Sequence, residues 1–250
     1  MEALKKTETS ALLETVRRAM QAKACEVSVI ESGEVHCHVV ERRGLGLLTL
    51  PVGLFWQYDF HIDDAWEKYS VIVKAQLDEE TLLPVFAHPE RLTLRIDSGC
   101  ETGQVFQDLT CECRDQLHQV LVKIAAEGEG MVICIPRQDG RGKGLPFKLG
   151  TLWLQNALNI DTVESATMLA GSEEIDVRTY GGIIGILKFF GIPSCCAIYL
   201  ASNNPRKAHV FAENGYEVAD YIPVIVEPTE HTAHHLRAKQ EHLGHRHLVR

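Results

Sequence analysis

Three of the eight cysteines have the sequence spacing of a metal site. Cys100, Cys111 and Cys113 form a Cys-x10-Cys-x-Cys pattern between a predicted strand and a predicted helix. Thiolates bind zinc strongly, and three protein ligands leave a fourth position for water, as in catalytic zinc centres. The ion would acidify that water enough to supply a nucleophile near neutral pH. Free cysteine is also among the most buried residue types, so the spacing alone leaves three core residues as an equal alternative.

A basic, glycine-rich turn is the second candidate site. Residues 137–145 read RQDGRGKGL and follow an apolar, strand-like run at 131–136. Backbone N–H groups between a strand and a helix bind anions, and the guanidinium groups of Arg137 and Arg141 match phosphate oxygens. The turn fits neither a Walker loop nor a dinucleotide fingerprint. On this pattern alone, a solvated basic turn is the preferred alternative.

Hydrophobic periodicity predicts the elements that must position these residues. It indicates a mixed α/β fold, with a strand-rich N-terminal portion followed by an α/β portion. The first portion begins with a helix at 4–24 and a hairpin whose turn is Glu31-Ser32-Gly33. Further strands are predicted at 45–53, 54–62, 69–77, 91–96, 131–137, 194–202 and 221–227, and further helices at 104–127, 145–158, 181–190, 206–214 and 230–250. We predict an N-terminal extension at 1–45 and a catalytic domain at 46–250.

The composition limits the classes of function. The chain has 250 residues and a formal net charge of −9, which argues against a nucleic-acid partner. No run reaches the roughly 18 apolar residues of a membrane span, and the first residues lack the apolar core of a secretory signal. We therefore expect a cytoplasmic protein with reduced thiols and no membrane partner. Six of the twelve histidines lie in the polar tail, where we expect them to be solvated rather than metal ligands.

The motifs occur in an order that resembles the GTP cyclohydrolase II family. After the three cysteines come Gln-x-Gly-Arg at 138–141, Asp-Thr-Val-Glu at 161–164, Asp-x-Arg-x-Tyr at 176–180 and Asn-Asn-Pro at 203–205. The resemblance covers about residues 46–245, most of the chain. It implies a homodimeric enzyme that opens the imidazole ring of GTP and releases pyrophosphate, the first step toward riboflavin. It also implies a catalytic zinc ion in each chain and magnesium on the triphosphate.

The resemblance assigns roles to individual residues. The three cysteines hold the zinc ion, Asp176 is the proton acceptor, and Arg178 is the nucleophile that attacks the α-phosphate. Arginine is almost always protonated, so an adjacent base is chemically reasonable. Without the resemblance, a weak surface ion pair would be preferred for these two residues. The residues matched to nucleotide contacts are Arg95, Ser98, Gln116, Asp139, Gly140, Arg141, Thr162, Ser202 and Lys207.

Several positions depart from the family pattern. The family's Arg-Val-His-Ser-Glu before the first cysteine is RIDSG here, with Asp97 and Gly99 in place of the histidine and the glutamate. Asp139 replaces a glutamate, and Leu152 replaces an active-site tyrosine whose phenol can relay a proton. We therefore expect a paralogue in which ring opening survives and formate release is slowed or lost. The alternatives are ring opening of another purine nucleotide, and a nucleotide-binding pseudoenzyme or regulator.

Overall fold

The computed structural model describes residues 2–136 and 138–245, and most of its strands join one mixed sheet. The strands are β1 (Lys23–Glu31), β2 (Glu34–Leu50), β3 (Gly53–Ile62), β4 (Tyr69–Lys74), β5 (Gln76–Leu77), β6 (Pro84–Val85), β7 (Arg91–Asp97), β8 (Gly130–Cys134), β9 (Ala197–Ala201) and β10 (Val218–Ile222). Eight of them pair in the order β1-β2-β3-β4-β8-β7-β9-β10, while β5 and β6 form a small separate sheet. The predicted mixed α/β fold is confirmed.

The large sheet changes from antiparallel to parallel pairing along its width. Strands β1 to β4 are antiparallel neighbours, and β4 is also antiparallel to β8. From β8 onward, the neighbours β7, β9 and β10 run parallel. Parallel neighbours need long crossover connections, and helices supply them here. The strands β7, β8 and β9 therefore end at the same edge of the sheet.

The antiparallel half contains the predicted hairpin. Its turn residues Ser32 and Gly33 have φ values of 53° and 80°, a backbone region that glycine adopts without strain. β2 continues for 17 residues, although its sequence pattern predicted two shorter strands. The pattern breaks because the pairing with β3 shifts register between Arg42 and Gly44. The division predicted between residues 45 and 46 falls within β2 and stays a prediction.

The helices begin and end at residues that the sequence pattern located only in part. They are α1 (Glu2–Ala19), α2 (Cys113–Glu127), α3 (Leu145–Leu158), α4 (Thr162–Ala170), α5 (Gly181–Phe189), α6 (His209–Glu213) and α7 (Ala233–Leu243). The prediction of a helix from residue 104 was wrong, because a π-helical turn, Glu101–Val105, and a cysteine-bearing loop precede α2. Likewise, 206–214 divides into a 3₁₀ turn, Pro205–Ala208, and α6. Within the described residues, no helix is both long and apolar enough to cross a membrane.

The helix α4 was not predicted from the periodicity. Asp161 caps it, because its Oδ1 accepts hydrogen bonds from the backbone N–H groups of Val163 and Glu164 at 2.6 and 2.8 Å. The capping residue belongs to the Asp-Thr-Val-Glu motif that carried part of the family resemblance. The cap therefore fixes Thr162 at the first turn of a helix.

The core lies between the sheet and α5 and fixes the ends of the parallel strands. Leu94 of β7, Ile133 of β8 and Leu200 of β9 are completely buried in one hydrophobic cluster. Ile183 and Ile186 of α5 belong to the same cluster. Parallel strands covered by helices are expected to be apolar on both faces. The edge where β7, β8 and β9 end is therefore held by a close-packed core.

Candidate active site

One cavity opens at the carboxyl ends of β7, β8 and β9, the edge where open α/β sheets bind their ligands. The cysteine loop follows β7, the glycine-rich turn follows β8, and the Asn-Asn-Pro segment follows β9. The predicted site residues that line this cavity are Arg95, Ser98, Cys100, Cys111, Cys113, Gln116, Asp139, Gly140, Arg141, Thr162, Arg178, Ser202 and Lys207. Asp176 contacts the cavity through Arg178. The structure thus brings the separate motifs together.

The three cysteine sulfurs form a compact cluster in this cavity. All three Sγ atoms lie within 4.8 Å of one another, and those of Cys100 and Cys111 are 3.5 Å apart. Two thiolates bound to one zinc ion at about 2.3 Å in tetrahedral geometry would lie about 3.8 Å apart. Gly103 makes room for the cluster, since a Cβ there would lie 2.4 Å from Cys111 Sγ. The donor type and the spacing therefore fit a metal ion.

The contacts among the three thiols shift their pKa values in opposite directions. Hydrogen bonds from Cys111 and Cys113 lower the pKa of Cys100. Their contacts with Cys100 and their burial raise the pKa of Cys111 to about 11 and the pKa of Cys113 well above its ordinary value. Close thiolates repel one another unless a cation lies between them. Across residues 2–136 and 138–245, this is the one cluster of three or more Cys, His, Asp or Glu ligands with the closeness that a metal ion requires.

Asp97 holds the loop that begins at the first cysteine. Its Oδ2 accepts a hydrogen bond from Arg95 Nε at 3.0 Å and forms an ion pair with Arg95 NH2 at 2.9 Å, and its Oδ1 accepts a hydrogen bond from Gln104 Nε2 at 2.7 Å. The Gln104 Oε1 atom in turn accepts from the backbone N–H of Cys100 at 3.0 Å. Both oxygens of this buried carboxylate are thus partnered, as a buried charge requires. Asp97, which replaces the family's histidine, therefore holds the cysteine loop through its own hydrogen bonds.

Gly99 has a backbone conformation that suits its replacement of the family's glutamate. Its φ is 48°, and its N–H donates to Asp97 Oδ1 at 3.1 Å. A Cβ at this position would lie 3.1 Å from the carbonyl oxygen of Ile135. A longer side chain would therefore be strained here.

The glycine-rich turn places Arg141 against the cavity. Gly140 has a φ of 57°, and a Cβ there would lie 3.0 Å from the backbone nitrogen of Lys148. Arg141 NH2 donates to the carbonyl oxygen of Thr162 at 3.1 Å, while NH1 is buried without a hydrogen-bond partner among the described residues. Burial and the nearby Arg178 lower the pKa of Arg141 to about 10, so it stays protonated at neutral pH. A buried, unpaired cationic donor is suited to an anionic ligand.

Arg178 and Asp176 form a buried ion pair at the cavity wall. Arg178 Nε donates to Oδ1 at 2.8 Å, and NH2 donates to Oδ2 at 2.5 Å. The two side chains are 12% and 7% exposed, so the alternative of a surface ion pair was wrong. Burial disfavours both charges, but the hydrogen bonds between the two groups outweigh it, lowering the pKa of Asp176 and raising that of Arg178. Both groups are therefore charged.

Lys207 follows β9 and reaches back beneath the cavity. Its Nζ donates to the carbonyl oxygen of Ile96 at 2.7 Å. Burial, together with the charges of Arg95 and Arg178, lowers the pKa of Lys207 to about 7. This ammonium group changes its charge near neutral pH and gains a proton readily beside an anion.

Comparison with known proteins decides the family. The sequence model of the GTP cyclohydrolase II family matches residues 49–223. The chain belongs to the GTP cyclohydrolase II family. A GTP cyclohydrolase-2 of Picrophilus torridus is 35% identical over 193 residues, which cover 77% of this chain and 92% of that protein. The predicted family and the predicted class of hydrolase are confirmed.

A second curated relative agrees with this assignment. A GTP cyclohydrolase-2 of Streptomyces coelicolor is 34% identical over 206 residues, which cover 82% of this chain and 86% of that protein. The crystal structure of RibBX, a two domain 3,4-dihydroxy-2-butanone 4-phosphate synthase from A. baumannii, superposes with a TM-score of 0.36 at 14% identity. That superposition covers 75% of this chain and 40% of the other.

The C-terminal helix α7 and the residues directly after it contribute cavity residues that sequence reasoning missed. Lys239, Leu243 and His245 line the cavity, and Lys239 Nζ donates to Glu112 Oε1 at 2.7 Å. Glu112 stands between two of the cysteines, so α7 is tied to the cysteine loop. The position of Glu112 between two motif cysteines could have identified it in the sequence as a residue near the site. Nothing in the sequence pattern of α7 identified Lys239.

The expectation for the tail histidines was wrong for two of them. His235 is 8% exposed, and His245 lines the cavity. Burial lowers the pKa of His245 to about 3, so its ring is neutral at physiological pH. The cavity-facing side of α7 was not visible in its polar composition. His247 and Arg137 lie outside the described residues.

The helix α3 places Thr151, rather than Leu152, in the cavity wall. Thr151 is 4% exposed and lines the cavity together with Phe147 and Lys148, whereas Leu152 is half-buried and is not one of the lining residues. The Thr151 hydroxyl donates to the carbonyl oxygen of Lys148 at 2.7 Å. Neither position therefore offers the cavity a free hydroxyl donor, because the Thr151 hydroxyl is already bonded and leucine has none.

Proposed function

We propose that the protein catalyses the zinc-dependent hydrolytic opening of the imidazole ring of GTP, with release of pyrophosphate and formation of a pyrimidine nucleotide. One observation carries this proposal: the three sulfurs and the Arg178 guanidinium line the same cavity. Hydrolysis of the imidazole ring uses the metal ion that the sulfurs would hold, and displacement at the α-phosphorus uses the guanidinium group. Relatives named GTP cyclohydrolase-2 support GTP as the substrate.

We assign zinc to the cysteine cluster. Soft thiolate ligands select zinc over magnesium, and three of them leave a position open to substrate. Cys100, Cys111 and Cys113 would hold the ion, which when bound supplies Lewis acidity for hydrolysis of the purine ring. Asp139 lies in the same cavity, and burial raises the pKa of its carboxyl group. A carboxyl group with a raised pKa is suited to exchange protons during ring opening.

Arg178 is assigned to the displacement of pyrophosphate. A guanidinium nitrogen would bond to the α-phosphorus while the bond from that phosphorus to the bridging oxygen breaks, and pyrophosphate leaves with this oxygen. The guanidinium loses one proton as the new bond forms, and Asp176, in contact with two of its nitrogens, is the adjacent acceptor. Hydrolysis of the nitrogen–phosphorus bond then restores Arg178 and leaves a nucleoside monophosphate.

The remaining cavity residues are assigned to the nucleotide. The unpaired NH1 of Arg141 and the ammonium group of Lys207 are suited to the triphosphate, with Mg²⁺ neutralising part of its charge. The other nucleotide contacts are proposed for Arg95, Ser98, Gln116, Asp139, Gly140, Thr162 and Ser202. A cluster of cations within an acidic protein explains how a polyanion can bind despite the net charge of −9.

We propose a homodimer as the working assembly. The helix α3 carries Leu149 and Trp153 on its outer side, where they are 51% and 78% exposed. Large exposed apolar side chains one helical turn apart are typical of a subunit contact. Light scattering on the eluting protein tests this, and Trp153→Glu is expected to shift the mass toward that of one chain.

The reaction is tested by incubating the zinc-loaded protein with GTP and Mg²⁺, with ATP and ITP in parallel. Mass analysis is expected to show a pyrimidine nucleotide from GTP, with one pyrophosphate for each ring opened. Turnover of ATP or ITP instead of GTP would transfer the proposal to another purine nucleotide. Nucleotide binding without any turnover would contradict the proposed enzyme activity and favour a regulator.

A further inference from the structure

The hairpin formed by β1 and β2 touches the start of α5, directly after the segment that carries Arg178. Glu31 Oε1 accepts a hydrogen bond from the backbone N–H of Gly181 at 2.5 Å. Tyr180, which precedes α5, makes no side-chain cap of its own. The first N–H groups of a helix lack partners within the helix and attract negative charge. Glu31 therefore caps α5 from a part of the chain 150 residues away.

Two adjacent glycines make this contact possible. A Cβ on Gly181 would lie 2.3 Å from the carboxyl group of Glu31, and a Cβ on Gly182 would lie 2.2 Å from the Tyr69 hydroxyl. Both glycines lie inside α5, so the space for these side chains, rather than a positive φ, explains them. Two side chains of the antiparallel half thus fill the space that the glycines leave at the start of α5.

Further contacts hold the hairpin against the parallel half. Asn214 Oδ1 accepts from the backbone N–H of Ile30 at 2.9 Å, and Asn214 Nδ2 donates to the carbonyl oxygen of Ile30 at 2.8 Å. Lys188 of α5 donates to the carbonyl oxygen of Ser28. Val29 is completely buried in the main core. The strand that leads to Glu31 is therefore held against the parallel half.

We propose that Glu31 is a positioning residue for Arg178. By capping α5 it fixes the backbone at Gly181, three residues after Arg178, and so fixes the direction in which the Arg178 side chain enters the active-site cavity. The hairpin and the segment 178–180 also line a second cavity together, with Arg206, His209, Val210 and Glu213 completing its lining. This inference deepens the proposed function, because it rests on the assignment of Arg178 to pyrophosphate release.

Kinetic measurements on four single variants and one double variant test the inference. Glu31→Ala is expected to lower kcat for pyrophosphate release about tenfold, with KM for GTP changed less than about twofold, because a misplaced reacting group slows the step without weakening binding. Glu31→Gln keeps an oxygen acceptor and is expected to retain most of the activity. Gly181→Ala is expected to be harmful alone but nearly neutral in the Glu31→Ala background, where the clashing carboxyl group is absent. Glu34→Ala, an exposed change in the same hairpin, is the matched control.

Hydrogen exchange in residues 176–181 provides a readout independent of turnover. Glu31→Ala is expected to accelerate exchange there, and Glu34→Ala is not. Unchanged exchange in Glu31→Ala, or additive effects of Glu31→Ala and Gly181→Ala, would overturn the inference. If the unaltered protein releases no pyrophosphate from GTP, the proposed function fails. In that case, hydrogen exchange in the variants still decides whether Glu31 positions this segment. The additivity of Glu31→Ala and Gly181→Ala is then measured on the free energy of unfolding.

Discussion

Arg178 donates two hydrogen bonds to Asp176, from Nε and from NH2, while its NH1 lies 3.4 Å from Ser98 Oγ at the cavity. Asp176 thus occupies one edge of the planar guanidinium group and leaves the opposite nitrogen toward the ligand. In the proposed reaction, the carboxylate acts on the substrate only through the arginine that it holds. This relationship explains why the two residues must be separated by a single residue and buried together.

Replacing Arg178 tests this geometry directly. Arg178→Lys is expected to lower pyrophosphate release at least about a hundredfold, because an ammonium group cannot bind Asp176 with two parallel hydrogen bonds and still face the cavity. Asp176→Asn is expected to lower pyrophosphate release comparably, because the amide oxygen still accepts a hydrogen bond from Arg178 but cannot accept the proton that the guanidinium loses. Pyrophosphate release is measured by a coupled assay. Normal release by Arg178→Lys would contradict the assigned role, and Arg237→Lys, an exposed change on α7, serves as control.

Replacing a cysteine tests the metal centre. Cys111→Ser is expected to lose most of its bound zinc, because a hydroxyl group is a far weaker zinc ligand than a thiolate. Turnover of GTP should disappear while affinity for the nucleotide persists. Zinc content is measured by elemental analysis, with Cys37→Ser, an exposed cysteine far from the cluster in sequence, as the matched variant. Full zinc content in Cys111→Ser would refute the proposed ligand set.

The convergence of the motifs was predictable because they stand where parallel strands end. The cysteine loop, the glycine-rich turn and the Asn-Asn-Pro segment each follow a run of apolar residues that could be recognised as a buried strand. Strands in a sheet covered by helices must be apolar on both faces, so they can be recognised in the sequence as apolar runs. Thirteen of the fourteen site residues that the family resemblance proposed line one cavity, whereas local spacing alone had left a solvated turn and a surface ion pair as the preferred alternatives.

Contacts between distant segments were not predictable in the same way. The Lys239–Glu112 pair joins residues 127 positions apart, and the Glu31–Gly181 hydrogen bond joins residues 150 apart. Neither pair has a local pattern, because each depends on how whole elements pack. The partners of Asp97 were also hidden, since a buried carboxylate and a ligand-binding carboxylate have the same appearance in a single sequence.

The lowered pKa of Lys207 predicts how stability depends on pH. Unfolding restores the ordinary lysine pKa of 10.5, whereas burial lowers it to about 7 in the folded protein. Between these values the unfolded chain binds more protons, so this residue makes stability rise as pH increases from about 7 toward 10. Lys207→Met is expected to show a smaller rise in the free energy of urea unfolding between pH 7 and 9. Equal slopes for the two proteins would contradict the pKa shift.

The products of the reaction test the departure at Leu152. The helix α3 offers the cavity no free hydroxyl from this position, and the neighbouring Thr151 hydroxyl already donates to the carbonyl oxygen of Lys148. The phenol relay of the family is therefore missing from this helix, and we expect less than one formate for each pyrophosphate released from GTP, with a formylamino-pyrimidine nucleotide accumulating. Leu152 does not line the cavity, but the longer side chain of Leu152→Tyr, which restores the family's residue, is expected to bring a phenol to it and raise that ratio. Trp153→Tyr, on the exposed side of the same helix, should leave the ratio unchanged. Equal amounts of formate and pyrophosphate from the unaltered protein would show that the chain completes both hydrolyses without this tyrosine.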